Sequence, residues 1–369
     1  MRRLIFGAVA AIAAAAGASA RAETPLVASG EAFRVDGYAS FEFEKMLSKE
    51  GRGDPNGSFD ADLFDLVFNW RGSDRLRVAA DVTWEHGSAT EDGRGNVAVE
   101  YAFAEYAFAD WARARFGKMF TPFGIYNEIH TAKPAYLSVK EPFSTNKNDK
   151  FGSPMRFYPR WGAGIALLGN GTLPAGVAWD YVLAVTNGDQ DQTNPFEEDD
   201  NTQKAVQGRV RLTYQDRLEL GVSAYRDSLT ELAGGVATSG RTVQLSYGAH
   251  AIWRSGFGPG VELEYVRGGL KPSSATVGPT TWGQGATAMV WWTFADWLTP
   301  YARLEWLDPD TDVSNDRALL LLGGLNVRVP GGLVFKAEVD KTKAQDANTY
   351  FSGGLGDYVE VKAAVVVGF

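Results

Sequence analysis

The 369-residue sequence predicts an all-β fold, a transmembrane antiparallel β-barrel of about sixteen strands with short periplasmic turns and long extracellular loops. Three observations predict it. Apolar and polar residues alternate with a period of two in segment after segment, which gives each strand one oily and one wet face. Short and long connections alternate strictly between those segments, as in outer-membrane barrels. The chain opens with an export signal, yet no later apolar stretch reaches the roughly 18 residues of a spanning helix, and the mean hydropathy is -0.20.

The signal comes first in order. Arg2 and Arg3 precede the apolar run Leu4–Ala16, followed by the small-residue sites Ala18-Ser19-Ala20 and Ala20-Arg21-Ala22. Residues 1–22 are therefore expected to be removed, with the cut after Ala20 or Ala22, leaving 23–369 as the barrel. Such a chain meets a membrane as a closed barrel, because only helices and closed sheets satisfy their backbone groups in lipid. Without cysteine the fold relies on pairing and packing. The formal charge is -9, and loss of Arg2, Arg3 and Arg21 leaves 33 basic against 45 acidic residues, or -12. That balance argues against nucleic acid as a partner.

Strands are expected near 33–44, 59–70, 75–85, 97–108, 112–119, 161–168, 176–186, 204–214, 217–226, 242–253, 261–267, 284–294, 298–307, 317–329, 333–341 and 357–369. In the third, Leu76, Val78, Ala80, Val82 and Trp84 oppose Arg75, Arg77, Asp81 and Glu85. In the tenth, Val243, Leu245, Tyr247, Ala249, Ala251 and Trp253 oppose Gln244, Ser246, His250 and Arg254. The fourth breaks parity between Val97, Val99, Tyr101, Phe103 and the set Ala104, Tyr106, Phe108, which a bulge would explain. In the last, Val359, Val361, Ala363, Val365, Val367 and the terminal Phe369 share an apolar face. Trp84, Trp111, Trp161, Trp253, Trp297 and Trp306 fall near strand ends, as aromatic girdles require.

Sixteen strands enclose an interior too wide for side chains to fill, so a water-filled channel for small hydrophilic solutes is expected. The longest connection, 120–160, carries six basic and three acidic residues, Lys133 and Lys140 among them, and five prolines that stiffen it. Folded inward, it would act as a basic constriction. Arg75, Arg77, Arg113, Arg115, Arg209, Arg211 and Arg303 are expected on inward faces, and guanidinium groups suit carboxylate and phosphate. These form the expected pore-lining set, with an anion preference. The competing reading pairs the arginines with Asp36, Asp81, Glu85, Asp180, Glu219 and Glu305, bracing the wall with little selectivity. A further loop, with Asp189, Asp191, Glu197, Glu198, Asp199 and Asp200, lacks calcium-loop spacing and reads as solvated rather than as a metal site.

Arg115-Phe116-Gly117-Lys118 running into Thr121-Pro122-Phe123-Gly124-Ile125-Tyr126 resembles the signature of the phosphate-selective porin O and P family. Val185-Thr186-Asn187-Gly188 and Leu220-Gly221-Val222-Ser223-Ala224-Tyr225 are similar to its later strands. The resemblance implies a homotrimeric outer-membrane porin, in contact with lipid and lipopolysaccharide, whose third loop narrows the channel. Arg113, Arg115 and Lys118 sit where part of an arginine and lysine track would stand, Lys118 only if Gly117 bulges the strand. No cofactor is implied. His86, His130 and His250 are the only histidines, none in metal spacing, and no serine occupies a nucleophile elbow, so an enzyme is not expected. The alternative is a general or weakly cation-selective porin, or a non-conducting barrel such as an outer-membrane enzyme or adhesin.

Overall fold

The computed structural model describes residues 32–47, 56–85, 96–146, 157–188, 201–233, 236–273, 279–294, 296–345 and 357–369. The expected signal peptide, His86, the acidic stretch 189–200, and Lys147, Lys150 and Arg156 lie outside them. The strands are β1 Phe33–Met46, β2 Ser58–Arg71, β3 Leu76–Glu85, β4 Asn96–Ala109, β5 Ala112–Phe120, β6 Trp161–Leu173, β7 Val177–Thr186 and β8 Ala205–Tyr214. They continue as β9 Leu218–Ala233, β10 Val236–Arg254, β11 Pro259–Pro272, β12 Thr281–Trp292, β13 Leu298–Asp308, β14 Ala318–Val329, β15 Leu333–Ala344 and β16 Tyr358–Gly368. Every strand pairs antiparallel with its sequence neighbours, and β1 meets β16 from Tyr38 opposite Gly368 to Met46 opposite Glu360. The sheet is closed, so no ladder edge faces lipid. Among the described residues no helix is long and apolar enough to cross a membrane.

Alternation sorts the side chains as the period of two requires. Phe41, Phe64, Ile165, Val222, Leu263 and Leu321 point outward and are exposed, while their chain neighbours Glu42, Asp65, Ala166, Ser223, Glu264 and Leu322 point inward and are buried. The break in β4 is a bulge. Tyr101 faces Asp81 and Val99 faces Val82, so Glu100 is the extra residue. Val97 and Val99 thus point outward with Tyr106 and Phe108, whereas Phe103 points inward.

Short turns use positive φ where the twist of a tight hairpin requires it. Gln215 and Asp216 have φ of 51° and 55°, and Gly331 and Gly332 have 95° and 85°. At the seam, Phe369 exchanges two 2.9 Å backbone hydrogen bonds with Gly37 and stacks on Phe64 at 5.9 Å.

Two boundaries differ from expectation in ways that matter. β9 and β10 continue to Ala233 and from Val236, so most of the connection expected at Asp227–Arg241 is paired strand. Pairing needs only backbone groups, and it continues past the apolar stretch. Arg75 lies in the turn before β3, exposed, and not on an inward strand face. The cause is Ser73, whose Oγ accepts from the N–H groups of Arg75 and Leu76 at 3.2 and 3.1 Å, tying Arg75 into the turn.

Candidate functional site

Many inward residues of β9–β16, Ser223, Gln244, Glu264, Glu305, Glu338 and Lys362 among them, are polar and yet buried, and the segment from Thr121 to Asn146 lies against this part of the wall inside the barrel. It leaves β5 and first reaches the wall at β9 and β11, where Gly124 N–H donates to Ser223 Oγ at 3.1 Å and Ile125 N–H to Glu264 at 3.0 Å. It then passes β8 and crosses to β4 and β1. Glu128 pairs with Arg209 on β8, His130 Nε2 lies 3.5 Å from Glu100 on β4, and Thr131 meets the Tyr38 hydroxyl on β1 at 3.0 Å. The return path runs along β13 to β15. Lys336 donates to the carbonyls of Lys133, Tyr136 and Ser138 at 2.6 to 2.8 Å, Arg303 to Ser138 Oγ at 2.7 Å, and Val139 N–H to Glu338. Glu305 accepts from the N–H groups of Phe143 and Ser144 at 2.9 and 3.0 Å.

Backbone N–H and C=O groups of an irregular segment cannot be buried without partners, so the inward charges of the wall serve as those partners. Close approach is arranged by inward glycines. Gly285 on β12 has no room for a Cβ against the carbonyl of Ser144, and Gly248 and Gly268 lie under the rings of Phe123 and Phe157. Phe123 stacks on Tyr158 at 4.1 Å within an apolar cluster that includes Phe143 and Phe157.

The two loop lysines expected to line a pore are instead held in carboxylates. Lys133, 6% exposed, lies 2.9 Å from Glu42 and 3.0 Å from Asp62, and Lys140 contacts Glu42, Asp62 and Glu44. Burial pulls the Lys133 amine down, but Glu42 and Asp62 outweigh it and hold it above the ordinary lysine value. The His130 ring is moved the other way. Burial and then Arg160 lower its pKa, and Glu100 does not make up the difference.

The arginines divide by height. Arg209 and Arg303 are buried loop anchors, the first donating to Gly124 O at 3.1 Å, the second paired with Glu305 at 2.8 Å. Arg77, Arg113, Arg115 and Arg211 stand toward the short-turn ends of β3, β5 and β8. Arg113 and Arg211 keep 31% and 35% of their side chains exposed. Their partners are Asn69 for Arg77, Asn170 and Glu105 for Arg113, Glu105 for Arg115, and Asp180 with Glu219 for Arg211. Phe103 supports the band from beneath, its ring centre 4.1 Å from the Arg115 guanidinium carbon and 5.6 Å from that of Arg77. Lys118 is not part of it. It pairs opposite Ala102 and Ala163 on the parity of outward Phe116, its amine donating to Val99 O and lying 4.5 Å from the Trp161 ring. Gly117 does adopt a φ of 132°, but pairing continues through it without a register shift.

Glu105, Glu264, Glu338 and Lys336 were missed as site residues. The alternation sets Glu105 against Ala104, Tyr106 and Phe108, but no local pattern marks it as the partner of Arg113 and Arg115 or marks the others as loop partners. Asp81, expected to pair with an arginine, has a buried oxygen with no hydrogen-bond partner. His250 faces inward as expected, with Nε2 3.3 Å from Glu219. Among the described residues no group of three or more potential ligands is placed to hold a metal ion.

Neither a family model nor a curated protein sequence matches the chain. Solved structures do match its fold. An anion-selective porin from Comamonas acidovorans superposes with a TM-score of 0.66 at 11% identity, covering 91% of this chain and 99% of that one. The outer membrane channel DcaP of Acinetobacter baumannii gives 0.59 at 10% identity over 91% and 97%. OmpT of Vibrio cholerae, an outer membrane protein solved in a trimer form, gives 0.60 at 12% identity over 92% and 100%. The chain has the sixteen-stranded barrel fold of outer-membrane porins.

Proposed function

We propose that the protein is an outer-membrane channel for passive diffusion of small hydrophilic solutes, narrowed by its infolded loop and anion-preferring at the periplasmic mouth. The observation that carries the preference is the band of Arg77, Arg113, Arg115 and Arg211, part-exposed at the turn-side ends of β3, β5 and β8, while Lys133 and Lys140 are neutralised inside the loop. Porin neighbours of the same fold support the channel reading, and the trimer form of one of them supports a homotrimer. No step of this function uses a reacting group. The finer reading, selection of phosphate, rests on the resemblance around Arg115–Tyr126 alone.

The test is the reversal potential of single channels in a salt gradient across a planar bilayer. Replacing Arg113 and Arg115 with glutamine, together with Glu105→Gln to avoid an uncompensated carboxylate, shifts it toward cations. An unchanged potential sinks the assignment of selectivity to this band. Phosphate block of the chloride current then tests the finer reading. The burial of nearly every inward residue of β9–β16 favours one second reading, a barrel that does not conduct, and absence of current steps from well-folded protein would select it.

A further inference from the structure

Inward carboxylates of the wall find partners of two kinds. Glu42, Asp62, Glu105, Glu305 and Asp340 each lie within ion-pair distance of a lysine or arginine, and Glu264 and Glu338 accept from N–H groups of the infolded loop. Asp65 on β2 and Asp81 on β3 have neither. Both are buried, at 0% and 1% exposed, and among the described residues no lysine, arginine or histidine forms an ion pair with either. Both oxygens of Asp65 and one of Asp81 are buried without a hydrogen bond of ordinary length. Arg77, the basic residue nearest in sequence on that face of β3, donates instead to Asn69 at 2.6 Å.

Register gathers these groups. Asp65 stands opposite Tyr38 on β1 and opposite Thr83 on β3, so the three side chains form one inward row. Asp81 is the next inward residue of β3, about 7 Å along the backbone from Thr83, and it faces Tyr101 on β4. The Tyr38 hydroxyl lies beside both carboxyl groups, and the Thr83 hydroxyl beside that of Asp65. Thr131 of the infolded loop meets the same tyrosine hydroxyl at 3.0 Å, so the loop stands over the row. Glu100, a third carboxylate nearby, is turned to His130 at 3.5 Å.

A buried charge is paired with an opposite one or coordinates a metal ion. Two neighbouring carboxylates without a basic partner match the charge of a divalent cation. The donors at hand are all oxygen: the chain has no thiol, and among the described residues no third carboxylate or imidazole completes a transition-metal set. Carboxylate and hydroxyl oxygens suit a hard cation, and calcium before magnesium, because calcium accepts an irregular oxygen shell and sheds its water more readily. We propose that Asp65 and Asp81 hold a calcium ion in the barrel wall, with the hydroxyls of Tyr38 and Thr83 and water completing its shell. The ion fixes Tyr38 and, through it, Thr131, so it ties the infolded loop to β1–β3. This site is separate from the arginine band and stands whether or not the barrel conducts.

The experiment measures uptake of radioactive calcium by equilibrium dialysis at neutral pH, with the full chain refolded into detergent free of lipopolysaccharide and its folding checked by gel mobility. Asp65→Asn with Asp81→Asn keeps the shape of both side chains and weakens uptake at the tight site at least about tenfold, since both ligand charges are gone. Tyr38→Phe removes a single ligand oxygen and weakens it less, and it carries the test if the double variant does not fold. Asp310→Asn with Asp312→Asn, in the connection after β13, is the control for loosely held surface ions and leaves the tight site near wild type. Chelation lowers the unfolding temperature of wild type and leaves that of the Asp65 and Asp81 double variant where it was. The proposal is overturned if wild type takes up no calcium, which would mean that protons neutralise the pair. It is equally overturned if the double variant binds like wild type, or if magnesium at equal concentration displaces the ion.

Discussion

Two nitrogens of Arg115 meet one oxygen of Glu105 at 3.0 and 2.8 Å, with the Phe103 ring beneath the guanidinium. A fork held this way is fixed in direction and part-neutralised, so the arginine band attracts anions less than its formal charge implies. Residue-scale electrostatics also makes a pH prediction. Burial and Arg160 depress the His130 pKa, so the unfolded chain takes up that proton more readily than the folded one. Stability from neutral His130 is therefore complete above the ordinary value of about 6.5 and is lost as pH falls through the lowered folded value. Thermal unfolding followed from pH 7.5 downward shows wild type losing stability relative to His130→Asn, with parallel curves above that window. Parallel curves throughout would mean that the ring titrates normally.

At the scale of elements, the segment Thr121–Asn146 is held by charged side chains of the wall more than by its own secondary structure, which amounts to one-turn 3-10 pieces at Asn127–Ile129 and Lys133–Ala135. Removing one anchor should therefore loosen it. Lys133→Met leaves Glu42 and Asp62 short of a cation and costs roughly 3 kcal/mol, the low end for breaking a buried pair, because Lys140 still contacts both. Single-channel conductance of this variant rises and its current noise increases, as the loop samples positions away from β1 and β2. Gly285→Ala acts on the other side of the same element. A methyl there meets the Ser144 carbonyl, so the loop must lift from β12, again with higher conductance and with the barrel intact by gel migration. Unchanged conductance in both variants would mean that this loop does not limit the pore.

For the whole molecule, closure is the decisive event, since an open sixteen-stranded sheet leaves two unpaired edges in lipid. The seam depends on Gly37, where an added side chain meets both the Phe369 ring and the backbone carbonyl of Asp65. Gly37→Val overpacks it, at about 1–3 kcal/mol. The expected readout is a lower temperature for the gel-mobility shift between folded and unfolded barrel, and a slower refolding into detergent. A variant that migrates and refolds like wild type would show that the seam tolerates the displacement of Phe369.

The barrel itself was legible from local pattern. Period-two alternation and the two lengths of connection need only neighbouring residues, and they placed sixteen strands, the outward face and the parity break near Glu100. Inward direction was legible too, for Arg77, Arg113, Arg211 and His250. What each inward charge does was not, because its partner is distant in sequence: Lys133 meets Glu42, Arg303 meets Ser138, and Lys336 meets three carbonyls of the loop. Inward glycines at 248, 268 and 285 were the one available signal for loop docking, and they read as ordinary strand glycines until the loop is seen against them. The sequence by itself determined a closed transmembrane barrel, since alternation is a local property of the chain. Only the tertiary structure decided which charges remain open to solute, because that depends on where an irregular loop finds partners for its buried backbone.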